Sequence, residues 1–90
     1  MTYSLLSTIP PERVGIDGEY DHSGLSKRVW QAFQNELSSD ALKALRVTQR
    51  GKVVVLMGNL PTQTVLERLI SIALTLEGAI DVEATGIRFK

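Results

Sequence analysis

From residue 25 onward the apolar positions follow first one period and then another. Leu25, Val29, Phe33 and Leu37 recur every four residues, and Trp30 and Ala32 widen the stripe. That spacing gathers side chains on one face of an α-helix. Lys27, Arg28, Gln31, Gln34 and Asn35 fall on the opposite side. The pattern predicts a helix from about Leu25 to Leu37. Ser23 is placed as its N-cap, since a serine hydroxyl can accept from an unpaired first-turn amide. Ser38-Ser39-Asp40 ends it.

The period then shortens to two. Leu42 to Gln49 and Val53 to Leu60 read as a hairpin turned by Arg50-Gly51-Lys52, where Gly51 can take a positive φ. In the first strand Leu45 and Val47 oppose Arg46, Thr48 and Arg50, so one face is wet. In the second, Val54, Leu56, Gly58 and Leu60 point one way and Val53, Val55 and Met57 the other. A strand apolar on both faces belongs in the middle of a sheet. Pro61-Thr62 opens a second helix with a broad apolar face (Val65, Leu66, Leu69, Ile70, Ala73, Leu76). Gly78 stands where a left-handed C-terminal cap is expected, and Ile80 to Phe89 reads as a last strand interrupted at Gly86.

Residues 1–23 have neither period. Pro10-Pro11, Gly15 and Gly18 punctuate them, and they are expected to form a tail before a domain at 24–90. The tail still carries Tyr3, Leu5, Leu6, Ile9, Val14 and Ile16, enough apolar surface to predict partial order against the domain. Zero net charge conceals an asymmetry: residues 1–23 sum to −3 and residues 24–90 to +3. Ninety residues at 43% hydrophobic content suit one small core. The longest apolar run is Val53 to Met57, far short of the roughly 20 residues of a membrane span. No signal-like N-terminus is visible, so a cytoplasmic, at most membrane-peripheral, protein is expected.

Little is left for catalysis. The chain has no cysteine and one histidine, His22, which gives nucleophilic triads and zinc sites no foundation. Asp17-Gly18-Glu19-Tyr20-Asp21-His22 alternates acids as a calcium loop does. However, His22 would stand at the required glycine and Arg28 at the bidentate acid. There is no phosphate loop or dinucleotide fingerprint. Glu67, Glu77, Asp81 and Glu83 are read as solvated. No enzyme activity, metal or cofactor is expected. The sharpest polar feature is the cluster Lys43, Arg46, Arg50 and Lys52, which includes a strip on one sheet face. It fits lipid head groups or nucleic-acid phosphates, or cations guarding an edge strand. The absence of a stacking aromatic on the strip weighs against nucleic acid.

Val54-x-Leu56-x-Gly58-x-Leu60 and Ala73-x-x-Leu76-x-Gly78-Ala79-x-x-Val82, behind a leading helix, resemble a BON domain over about residues 24–88. The resemblance is to small stand-alone bacterial, cyanobacterial-like members. Ala79 in place of a larger aliphatic and Ala84-Thr85-Gly86 at the last strand depart from the family pattern. The order of elements and the resemblance imply an α+β fold: an αββαβ sandwich, with a three-stranded mixed sheet and two helices on one face. The family is associated with phospholipid or hydrophobic ligands and with protein contacts, and has no catalytic residues to carry over. The bare sheet face would present Val53, Val55 and Met57 beside Arg46, Thr48, Arg50 and Lys52. Such a strip needs covering by the tail, a second copy, a lipid or a partner. The expected function is a non-enzymatic interaction or regulatory module that forms a homo-oligomer or binds another protein through this face. Peripheral phospholipid binding is the alternative. RNA binding ranks third, because no Gly-x-x-Gly loop joins two helices.

Overall fold

The leading stripe folds as read. In the computed structural model, which describes residues 8–89, helix α1 spans Gly24–Glu36 and buries Leu25, Val29 and Phe33. Ser23 stands at its N-cap as expected, though not through its hydroxyl. The Ser23 side chain makes no capping bond. The polar contacts come instead from Asp21, whose Oδ1 accepts the Ser23 amide at 2.9 Å, and from the Ser23 carbonyl, which accepts the Ser26 hydroxyl at 3.0 Å. A short helical turn, α2 (Ser39–Leu42), follows, with the Ser38 hydroxyl accepting from the Ala41 amide. Leu42 therefore lies in that turn and not in a strand. Its side chain is buried in the core all the same, so hydrophobicity alone could not tell the two apart.

Strands β1 (Leu45–Arg50) and β2 (Val53–Leu60) pair antiparallel across Gly51-Lys52, with Arg50 opposite Val53 and Leu45 opposite Gly58. Gly51 has φ 61°, a conformation that suits the first central residue of a two-residue hairpin. Helix α3 (Gln63–Leu74) is capped by the Thr62 hydroxyl, which accepts the Val65 amide at 3.2 Å. It ends four residues before Gly78, where the Thr75 hydroxyl donates to the Ile72 carbonyl. Gly78 thus shapes the turn after the helix and is not the residue that stops it. Strand β3 (Asp81–Phe89) returns parallel to β2, and the sheet order is β1-β2-β3. Val55 pairs with Glu83 and Met57 with Gly86, so the sequence Ala84-Thr85 holds one extra residue.

The protein is thus an α+β sandwich with a three-stranded mixed sheet, β2 in its centre and the main helices α1 and α3 on one face. Leu45, Val54, Leu56 and Leu60 join Leu25, Val29, Phe33, Leu66, Leu69 and Ala73 in a single core. At roughly 1.5–3 kcal/mol per fully buried large apolar side chain, this layer is where the stability resides.

Residues 8–23 close one end of the sandwich. A 3₁₀ turn at Pro11–Arg13 leads to a Val14–Tyr20 bridge. The Arg28 guanidinium on α1 donates to three carbonyls: Val14 at 2.8 Å, Pro11 at 2.5 Å and Glu77 at 3.1 Å. It ties the segment to α1 and to the turn that follows α3. Gln49 on β1 works from the other side, accepting the Ser26 amide at 2.7 Å and donating to the carbonyls of Glu12 and Gly51, both at 2.9 Å. The backbones meet so closely that only glycine fits. A Cβ on Gly24 would stand 2.2 Å from the Val14 oxygen, and one on Gly78 (φ 101°) would stand 2.9 Å from the Glu12 nitrogen. Tyr3, Leu5 and Leu6, the other apolar residues expected to lie on the domain, fall outside the described residues.

Candidate functional site: the uncovered sheet face

Because strand side chains alternate, each buried residue of β2 sends its neighbours to the far side. Val54, Leu56 and Leu60 are sealed beneath the helices; Val53 and Val55 are half-buried and Met57 is 38% exposed on the opposite face. The register then sets what flanks them. On the β1 side, Arg50 lies beside Val53, Thr48 beside Val55 and Arg46 beside Met57. On the β3 side, Asp81 lies beside Val53, Glu83 beside Val55 and Gly86 beside Met57. Met57 leans over Gly86, where a Cβ would approach its Cγ to 3.0 Å. Lys52 sits at the hairpin tip, its carbonyl accepting the Ile80 amide at 3.0 Å.

All six strand residues expected at the site therefore share this face, with Lys52 at its edge. The electrostatics differ from a simple basic strip. The Arg50 guanidinium reaches across β2 to the Glu83 carboxylate at 2.5 Å, bridging the sheet above the valines. Asp81 adds a second carboxylate on the same side, its Oδ1 accepting the Val82 amide. Between Val53 and Met57 the face is thus polarised, with cations on β1, an apolar ribbon on β2 and the anions Asp81 and Glu83 on β3; beyond it, Arg88 of β3 stands beside Asn59 on the same face. Sequence reading missed Asp81 and Glu83 as members of the site. A signal was available, since Asp81, Glu83 and Thr85 alternate with the inward Val82 and Ala84. What it lacked was the parallel register that lays β3 against β2.

Elsewhere, a shallow groove of about 440 Å³ runs between α1 and the β1 edge, lined by Trp30, Leu37, Leu42 and Leu45 among others. Trp30 is half-buried and packs against the core, as a core-edge tryptophan does. In the acidic loop, Lys27 Nζ donates to Asp21 Oδ2 at 2.8 Å. This bond, followed by the one from the Ser23 amide, holds the Asp21 carboxyl below its ordinary range, and the same contact raises the Lys27 ammonium. Arg13 donates to the His22 carbonyl at 2.6 Å and lies 3.0 Å from His22 Nδ1. Among the described residues no three His, Asp or Glu side chains gather as a metal site would require, and no helix is long and apolar enough to cross a membrane.

No protein family's sequence profile matches the chain, and no curated protein matches it.

Proposed function

We propose that this chain is a non-enzymatic interaction module of the BON type, acting in the cytoplasm by self-association, or by contact with another protein, through its uncovered sheet face. The observation that carries the reading is the apolar ribbon of Val53, Val55 and Met57 on the side of the sheet away from α1 and α3. The residues behind the BON resemblance support the same division of labour. Val54, Leu56, Leu60 and Ala73 are buried packing residues, so they account for the sandwich and leave the opposite face for partners.

Peripheral phospholipid binding by Arg46, Arg50 and Lys52 is the weaker reading. Each lysine or arginine near an anionic bilayer contributes about 1 kcal/mol. Glu83 already engages Arg50, and Asp81 shares the face, so the net attraction falls below what the strip alone offers.

Light scattering of the intact chain across a concentration series tests the proposal, with Val55→Glu as the perturbation. A mass that grows with concentration and falls back to monomer in Val55→Glu, at unchanged circular dichroism, supports the face as the docking surface. Flotation with vesicles of mixed phosphatidylserine and phosphatidylcholine, at low and high salt, addresses the rival. Salt-sensitive flotation lost in Arg46→Ala/Arg50→Ala, from a chain that stays monomeric, would replace the interaction reading with lipid binding.

A further inference from the structure

The charge layout on the uncovered face specifies how a second copy would seat on it. This inference rests on the self-association reading above and adds its geometry. Face-to-face sheets commonly pack with their strands within about 30° of each other. Two copies aligned in this way and related by a two-fold have the axis either along β2 or across it. The two choices bring different strands together.

With the axis across β2, at the level of Val55, β1 of one copy lies over β1 of the other. Arg46 then faces the partner copy's Arg50 twice over, and Glu83 faces its own equivalent. With the axis along β2, β1 of each copy lies over β3 of the other. Levels along the strand are kept, so Arg50, level with Val53, opposes the second copy's Asp81, which is also level with Val53. Thr48 opposes Glu83, and Arg46 comes over Gly86, where no side chain projects, between the levels of the second copy's Glu83 and Arg88. With the axis along β2 the three β2 side chains meet their equivalents; with the axis across it, Val55 meets its equivalent and Val53 meets Met57. Like charges set directly opposite each other disfavour an interface, and opposed unlike charges select partner and orientation.

We infer that the protein pairs with a second copy of itself about a two-fold running along β2, the Arg46/Arg50 edge of each sheet lying over the Asp81/Glu83 edge of the other. Three strands about 4.8 Å apart and some six residues of about 3.3 Å rise present a projected face of only about 14 by 20 Å. A standard interface uses about 800 Å² of accessible surface per partner, so the pairing is a weak, reversible one. Its charged flanks make it weaker in high salt.

The test is a charge exchange read by native mass spectrometry at high protein concentration. Arg46→Glu/Arg50→Glu makes the face acidic on both edges and is expected to reduce the dimer fraction at least tenfold. Adding Asp81→Lys/Glu83→Lys to that variant reverses the polarity and is expected to restore homodimers. The fourfold variant and the unaltered chain, mixed, are expected to form few heterodimers, because β1 of each then meets a like-charged β3. Abundant heterodimers in that mixture would place β1 over β1 and overturn the geometry while leaving face-to-face association intact. An Arg46→Glu/Arg50→Glu variant that dimerises as well as the unaltered chain would also overturn it. A chain that stays monomeric throughout would remove the self-association reading together with the geometry.

Discussion

Leu56 and Val55 are neighbours on one strand and live in opposite environments. Leu56 is fully buried under α1 and α3, in contact with the layer that holds the fold together; Val55 lies on the far side, half-covered, between Thr48 and Glu83. The two faces of β2 are equally greasy in sequence, yet among the described residues only one is covered by helices. On the covered face hydrophobicity is an intramolecular packing requirement. On the opposite face the same residue types are flanked by Arg50, Thr48, Asp81 and Glu83, the arrangement on which the proposed docking rests.

The largest expected effect separates these roles. Leu56→Ala leaves a cavity in a close-packed layer and should lower the free energy of unfolding by about 2–5 kcal/mol, a large part of the roughly 5–15 kcal/mol typical of a native domain. Val55→Ala should cost about 1 kcal/mol or less, in line with substitutions away from the core. Urea denaturation of the pair, with m-values compared to exclude altered unfolded states, measures the difference. Equal losses would show that the two faces are equally structural, and the distinction would collapse.

A second expected effect concerns the closed end of the sandwich, which bears on the covered face alone. Gly24→Ala forces a methyl against the Val14 carbonyl and should cost about 1–3 kcal/mol, the range for overpacking. Arg28→Met keeps the aliphatic stem and removes the donors to Val14, Pro11 and Glu77; at about 0.5–1.5 kcal/mol net for a typical hydrogen bond, a loss of similar size follows. Amide exchange should accelerate at Arg13, Val14 and Gly15, while the mass in light scattering stays as in the unaltered chain. A changed mass would show that residues 8–23 also act on the uncovered face.

These elements were unequally legible in the sequence. The helical stripe from Leu25, the hairpin and the central place of β2 follow from side-chain periodicity, which records burial directly. The six strand residues expected to form a surface share one side because alternation fixes which side each takes, and Lys52 falls at the hairpin turn beside them. Residues 8–23 were expected as part of a partly ordered tail, but what holds them was not legible, because their hold is made by backbone. Arg28 finds three carbonyls and Gln49 finds two, and a carbonyl has no letter of its own. Leu42 failed as a strand residue because one apolar position fits a helical turn and a strand equally well. Asp81 and Glu83 were read only as solvated acids because their place on the face depends on a pairing between β2 and β3 separated by a whole helix, and on one extra residue at Ala84-Thr85.

The smallest expected effect is at the solvent-exposed rim. Asp21 accepts from Lys27 Nζ at 2.8 Å and from the Ser23 amide at 2.9 Å, which lowers its pKa from 3.8 in the folded chain. A carboxyl with a depressed folded pKa stabilises the fold above the unfolded value, and that contribution is lost as pH falls through the folded one. Lys27 shifts the other way, above 10.5; its contribution is whole below 10.5 and is lost as pH rises through the raised value. Between these limits the pair gives a flat profile. Asp21→Asn should therefore lower the melting temperature slightly at pH 7, by less than Gly24→Ala does. The gap to the unaltered chain should close as pH drops below about 3.8 and again at strongly alkaline pH. Screening by salt should narrow it further, because exposed ion pairs contribute little. A gap that persisted at pH 2 would assign the loss to the Asp21 side chain's geometry at the start of α1, independent of its charge.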